Sequence, residues 1–414
     1  MEIVDAAVPA VQHLTGPGAT EVLRAAVDAA GGVLHDARTS QVQYRPGADV
    51  VVRYRADVTW ADGSRRPAET LLASASTTGP LPGAVPVEAL DGEQALVASV
   101  WRWPFDPLVP GLERAVTPGR SDDLVGSWVG AGPTLEVVAY RPTERAVVRV
   151  TGDDGRRVYV KAVRPHDVGP LVERHERLLG AGLPVPEVLA ASAADGLVVL
   201  AERPGTTFRE RIKQDLPGWP EPAAIGALVG LLRHVDPAGL PPRQGRVVDA
   251  LGHARLLAAV APDLADRLEA LCARFRAALP AVRDRSGAVV HGDLHEGQLV
   301  VAGDGAITGL LDVDDVGTGD PVDDLATVIG HLRFRAATTH EGAAPLRRRL
   351  AAHVGALEVH GGARVGREAL ALDVAAVLVG LATGPFRIQR AGWRDETDRV
   401  VADAEAAVDQ VGVP

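Results

Sequence analysis

Cysteine, methionine, lysine and the aromatic residues are all scarce in this 414-residue chain, and each shortage narrows what it can be. A single cysteine, Cys272, excludes an intramolecular disulfide and points to a reducing compartment. The opening Met1-Glu2-Ile3-Val4-Asp5 lacks the basic-then-apolar layout of a secretory signal, so the cytoplasm is the expected location. No apolar run approaches the length needed to cross a bilayer, so no membrane partner is expected. A net charge of −11 without a basic block argues against nucleic acid and leans toward a cationic substrate. Apolar residues are ample: at 46 % they can bury the cores of two or three domains.

Of 43 basic residues only Lys161 and Lys213 are lysine, so plain positive charge here is delivered by arginine. A lysine kept against that bias suggests a job needing a compact point charge rather than a planar fork. Lys161 lies in Val158-Tyr159-Val160-Lys161-Ala162-Val163, a strand that puts it on the face of Tyr159 and Val163. Its bland reading is a lysine at a solvated strand edge. Lys213, in the polar stretch 209–214, reads as a solvated helix side chain.

Along the chain, the first 110 residues alternate helical and strand-like pieces and end in the aromatic, proline-rich Trp101-Arg102-Trp103-Pro104-Phe105-Asp106-Pro107, expected to be a linker or clasp. A strand-rich block follows from Leu124 to Arg203. Beyond it the chain is mostly helical, interrupted by strands at Leu299 to Ala302 and Ile307 to Leu311 around the turn Gly303-Asp304-Gly305. There is an internal echo. Tyr44-Arg45-Pro46 precedes Val50-Val51-Val52-Arg53, and Tyr140-Arg141-Pro142 precedes Ala146-Val147-Val148-Arg149 at the same offset. Only the second copy carries a lysine on its next strand; the matching Glu69 to Ser76 has none. A duplicated lobe without the chemistry and two converged hairpins both fit this pattern.

The densest chemistry is His291-Gly292-Asp293-Leu294-His295-Glu296-Gly297-Gln298, followed fourteen residues after the glutamine by Asp312 at the end of the run Ile307 to Leu311. Phosphoryl transfer needs an aligned nucleophile and metal ions that neutralise the phosphates. Asp293 could take or orient a substrate hydroxyl proton, Gln298 offers an amide oxygen, and Asp312 offers a hard carboxylate suited to magnesium. These residues, together with Gly319-Asp320-Pro321-Val322-Asp323-Asp324-Leu325-Ala326, resemble the core of the aminoglycoside phosphotransferase and choline kinase superfamily over residues 124 to 414. The resemblance implies that Asp293 is the catalytic aspartate, Gln298 and Asp312 are metal ligands, Lys161 contacts the α- and β-phosphates, and Asp324 braces the catalytic loop. The family's usual residue at the second metal position is asparagine. Glutamine there, with an N-terminal cap, resembles actinobacterial maltokinases and glucosamine kinases and tilts the acceptor toward sugars.

Each residue also has a structural reading. His291 could be a hydrogen-bonded core histidine, and Asp314 and Asp315 solvated turn acids. Asp320 before Pro321 is what a helix N-terminus wants, with Asp323 and Asp324 on the positive end of its dipole. A partner for Lys161 is sought on the helix Val168 to Gly180, which offers Glu173 and Glu176, with Glu173 favoured. Gly130-Ala131-Gly132 is too short for a phosphate-loop signature. Leu197 to Glu202 resembles the hinge where adenine meets backbone, placing Glu202 beside the nucleotide.

The resulting expectation is an α+β, two-lobed protein-kinase-like fold: an N-terminal cap or degenerate lobe over residues 1–120, a nucleotide lobe over 121–204 and a helical lobe with the catalytic loop over 205–414. ATP and Mg²⁺ are expected between the lobes, with a small-molecule hydroxyl acceptor (sugar, amino sugar or aminoglycoside) held by helices such as Pro345 to Leu357 and Arg367 to Thr383. Phe386-Arg387-Ile388-Gln389-Arg390 and Trp393 could line its pocket or form a packed turn. The rivals are a nucleotide-binding module without transfer activity and a metal-dependent hydrolase built on His291, Asp293, His295 and Asp312. The acceptor, ATP versus GTP and the oligomeric state are not written in local patterns.

Overall fold

The computed structural model describes residues 3–91, 94–120, 122–130, 132–285, 287–339 and 341–409; Ala131 of the glycine turn and the first two residues fall outside them. The chain forms two compact units, Met1–Val168 with Leu189–Leu200 and Pro385–Trp393, and Gly169–Val188 with Ala201–Gly384 and Arg394–Pro414.

In the first unit, α1 (Ala10–Thr15) and α2 (Ala19–Ala29) precede β1 (Val33–Arg45), β2 (Asp49–Thr59), β3 (Arg65–Ser76), β4 (Val85–Asp91) and β5 (Gln94–Arg102). These strands make one antiparallel sheet in the order β1-β2-β3-β5-β4. Strict alternation builds it: Val50, Val52, Tyr54, Ala56 and Val58 of β2 are all buried, while α2 buries Leu23, Ala26 and Val27 at helical spacing. Then α3 (Leu112–Val116) and α4 (Asp122–Val129) lead into β6 (Thr134–Arg141), β7 (Arg145–Thr151) and β8 (Arg157–Val163). After α5 (Val168–Gly180), β9 (Val188–Ser192) and β10 (Leu197–Ala201) complete a second sheet, ordered β6-β7-β8-β10-β9.

The two sheets share one strand order, and the echo in sequence extends to hydrogen bonds. Tyr44 Oη donates to Asp5 Oδ2 at 2.8 Å, and the Gly47 N–H to the same oxygen at 2.7 Å. Tyr140 Oη donates to Asp106 Oδ2 at 2.7 Å, and the Thr143 N–H at 2.8 Å. In both copies the other aspartate oxygen accepts from the backbone two and three residues on, Ala7 and Val8 or Leu108 and Val109. Gly47 and Thr143 both sit in the left-handed region, at φ 76° and 64°. Among the described residues, the connection between β8 and β9 holds α5, whereas no helix lies between β3 and β4. Trp101 and Arg102, expected in a linker, instead end β5, and the Arg102 guanidinium lies 4.7 Å over the Trp60 ring.

The second unit contains α5, β11 (Thr206–Thr207), α6 (Phe208–Lys213), α7 (Pro222–Leu232), α8 (Arg246–Val260), α9 (Ala265–Arg285), β12 (Ala288–Val290), β13 (Leu299–Val301), β14 (Ile307–Leu310) and β15 (Gly317–Gly319). It continues with α10 (Pro321–Thr338), α11 (Ala344–Val365) and α12 (Arg367–Ala382); α13 (Gly384–Arg387) falls almost wholly in the first unit, and α14 (Trp393–Asp409) almost wholly in the second. The expected hairpin is β13–β14, with β11 added to its edge. The helix α5 groups here rather than with the strands around it, because Arg174 donates to Val316 O and Arg177 to Asp236 O. The expectation of no membrane-length run is corrected: Arg367–Arg387 is long and apolar enough by composition, with 72 % of its window buried. Its apolar surface packs α12 on α8, α10 and α11, so burial inside a bundle accounts for it. Phe386 is fully buried with its ring 5.3 Å from that of Trp393, the packed turn of the two readings.

Candidate active site

The strand β12 delivers His291 into a loop whose backbone is tied down from below. Asp324, in the first turn of α10, is 1 % exposed and accepts the N–H of His291 at 2.8 Å and of Gly292 at 3.0 Å. Asp320 caps the same helix through the Val322 N–H at 3.0 Å and pairs with Arg285. Gly292 is required where it stands: at φ 82°, a Cβ would lie 2.4 Å from Asp315 O.

His291 is the core histidine of the two readings. Its Nε2 meets Leu311 O at 2.8 Å and its Nδ1 receives the Asp293 N–H at 3.3 Å. Both ring nitrogens are thus committed to backbone and none is left to bind metal, which removes one leg of the hydrolase rival. The half-buried Asp293 has Oδ1 3.5 Å from Arg246 and Oδ2 3.9 Å from His295 Nε2. Burial resists its ionisation, but His295, Arg246 and His331 prevail and hold its carboxyl below the ordinary range.

Gln298 and Asp312 are brought together: Gln298 Nε2 donates to Asp312 Oδ2 at 3.3 Å and lies 3.2 Å from His295 Nε2. The Nδ1 of His295 accepts the Gly297 N–H at 2.9 Å and an Arg209 N–H at 3.2 Å. Asp312 itself is held at φ 57°, ψ 60°, an uncommon conformation for a residue with a side chain.

Lys161 lies in the first unit, on β8 between β7 and β10, opposite Val147 and only 3 % exposed. The strand-edge reading is thereby set aside. The register-equivalent position in the first sheet is Ser74, opposite Val51. Glu173 and Glu202 are exposed residues of the second unit.

Sequence reasoning left four partners of the catalytic loop unassigned. Glu296, fully buried, accepts from Arg209 Nε at 3.0 Å and from Arg335 Nε, and its other oxygen lies 3.5 Å from His331 Nδ1. Burial opposes its charge, yet His331, Arg335, His295 and Arg209 keep the carboxyl far below the usual range; burial pushes His331 down to about 3. His295, Glu296 and His331 have ligand atoms within 4.8 Å of one another. They nonetheless form an ion-pair hub rather than a cation site. The imidazoles are stacked, 4.5 Å apart at 22°, so their in-plane lone pairs do not converge, and two guanidiniums already neutralise the carboxylate. Arg246 is the fourth partner, bound to the loop at Gly292 O. No local spacing signals these residues, since Arg209 and Arg335 stand 87 and 39 positions from Glu296.

Residues 137–368 match the phosphotransferase enzyme family, more than half of the chain, and the protein belongs to that family. It is a small-molecule phosphotransferase with the α+β, protein-kinase-like fold expected from its sequence. Among solved structures it is similar to an aminoglycoside-3'-phosphotransferase of type VIII, with 27 % identity, TM-score 0.41, covering 61 % of this chain and 94 % of that one. A choline/ethanolamine kinase family protein from Mesorhizobium loti shares 18 % identity at TM-score 0.47, covering 72 % and 92 %. A macrolide 2'-phosphotransferase type I shares 21 % at TM-score 0.41, covering 71 % and 98 %. No curated protein sequence matches.

Proposed function

We propose that the protein transfers the γ-phosphoryl group of ATP, with Mg²⁺, to a hydroxyl of a sugar-like acceptor. The observation that carries this is Gln298 hydrogen-bonded to the Asp312 carboxylate beside Asp293, on a loop fixed by Asp324. Gln298 and Asp312 would hold the metal, which when bound neutralises phosphate charge. Asp293, ionised and anchored, orients the acceptor hydroxyl and takes its proton as the oxygen–phosphorus bond forms. Lys161 is the ammonium for the α- and β-phosphates, a role for which its burial among strands and the arginine bias of the chain both argue. Glu173 is retained as its partner, and Glu202 as part of the adenine hinge. In the same reading, residues 1–120 are a degenerate copy of the nucleotide lobe at 121–204, and residues 205–414 supply the catalytic loop.

Charge around Asp293 bears on the acceptor. Arg209, Arg246 and Arg335 surround it and its neighbours, favouring an uncharged sugar over a polycationic aminoglycoside, the opposite of what the net charge of −11 suggests. The test is a panel of neutral sugars, amino sugars and aminoglycosides with ATP and Mg²⁺, reading ADP release and a mass gain of one phosphate. Nucleotide binding without turnover on any acceptor would leave the binding-module rival standing.

A further inference from the structure

We infer that Arg246 is a positioning residue for phosphoryl transfer: its side chain fixes the Gly292–Asp293 peptide and the setting of the Asp293 carboxylate. The inference rests on the reading of Asp293 given above.

Arg246 opens α8, and four contacts hold it from two directions. Its N–H, one of the helix's unpaired first-turn donors, is accepted by Asp323 Oδ1 at 3.2 Å. Its Nε donates to Thr327 Oγ1 at 3.0 Å, and that hydroxyl is itself aimed by donating to Asp323 O at 2.6 Å. The guanidinium plane is therefore set by α10 before it meets the loop. Its Nη2 then donates to Gly292 O and stands 3.5 Å from Asp293 Oδ1. The order of those contacts matters. A guanidinium in full contact with the carboxylate would quench it as a base, whereas one held on the neighbouring carbonyl fixes the peptide and leaves Asp293 free to accept a proton.

The segment before Arg246 is clamped on the other side of the loop. The Arg243 N–H donates to Thr318 O at 2.7 Å, Thr318 N–H to Pro241 O at 2.9 Å, and Arg243 pairs with Asp315 at 3.0 Å. Asp315 O is the atom that a side chain at 292 would strike. Residues 241–246 thus join α10, the turn after Asp312 and the catalytic loop in one network. Asp324 ties the N–H groups of this loop and Arg246 ties its carbonyl, so both sides of the Gly292 unit are set. Lysine cannot replace Arg246, because one ammonium on a flexible stem cannot serve Thr327 and Gly292 in a fixed fork.

The test compares the full-length wild type with Arg246→Ala, Arg246→Lys and Thr327→Val. The last removes the Nε partner while nearly keeping side-chain shape. Arg246→Ala is expected to lower kcat about 100-fold, the loss that a misplacement near 1 Å produces, with KM for ATP within about threefold. Arg246→Lys should stay low, Thr327→Val should fall between, and millimolar guanidinium should restore part of the alanine variant's rate. Amide hydrogen exchange reads the same claim without turnover: the 291–296 amides should exchange faster in Arg246→Ala while those of α12 keep their protection. If exchange of the loop is unchanged, or kcat falls less than threefold, the inference is overturned. If the wild type phosphorylates no acceptor, the functional reading fails, and the exchange comparison alone still decides whether Arg246 sets the loop.

Discussion

At the scale of single residues, the site separates groups that act from groups that hold. Asp293 is the base of the proposed reaction, and Asp293→Asn keeps its size while removing its proton affinity. A loss of about 10²–10⁴ in turnover, with ATP affinity and melting temperature retained, is the expected outcome in steady-state kinetics and calorimetry. Retained turnover would move the base elsewhere. Gly292 is a holder by virtue of having no side chain. Gly292→Ala combines a left-handed backbone with a Cβ 2.4 Å from a carbonyl oxygen, and should destabilise by at least about 1 kcal/mol in denaturant titration while depressing activity further. Of these residues, Asp293, Gln298 and Asp312 were legible from spacing, because strand, turn and hairpin are local. Glu296 stood in plain view inside the same motif, but its meaning depends on Arg209 and Arg335, which no local pattern brings near.

At the scale of elements, α10 carries most of the burden of ordering the loop. Its first turn buries Asp320, Asp323 and Asp324, and Asp373 of α12 is fully buried beside them. Burial raises Asp323 from 3.8 to about 7 and pushes Asp324 and Asp373 the same way. A carboxyl whose folded pKa lies above its unfolded value takes up a proton on folding between the two. Asp323 therefore makes stability fall as pH rises from about 3.8 toward about 7, and Asp324 and Asp373 act with the same sign. Asp323→Asn keeps an oxygen for the Arg246 N–H and removes one titration, so its melting temperature should fall less steeply over this window than that of the wild type. Identical slopes would refute the assignment. Glu296, with its carboxyl held low, has the opposite sign: its contribution is present above about 4.5 and lost as pH falls, which is why slopes are compared between variants rather than read singly. The Asp-Pro helix start was legible from sequence; that Asp324 would hold the loop's backbone was implied only by resemblance, and the geometry supplies the reason.

At the scale of the whole molecule, two sheets of one topology share a chain, and only one carries a lysine. Ser74 occupies the register position of Lys161, so the two sheets offer a built-in control. Lys161→Met is expected to raise the ATP requirement and reduce kcat/KM by at least about tenfold, the effect of losing a charge-assisted contact. Ser74→Ala should leave both parameters unchanged. Equal effects at the two positions, measured with ATP as the varied substrate, would refute a degenerate first copy.

What the sequence by itself determined is whatever neighbours in the chain can encode. Alternating valines make the strands, Asp320-Pro321 starts a helix, the Tyr-Arg-Pro echo places two hairpins at one offset, and the residues from His291 to Asp312 resemble a phosphotransferase core. Tertiary structure alone decided which charges face one another. It set the Gln298 amide against Asp312, buried Glu296 between two distant arginines, and brought Arg246 from another helix onto Gly292. Electrostatic and hydrogen-bond energies depend on separation in space and on exclusion of water, and neither quantity exists until the chain has folded.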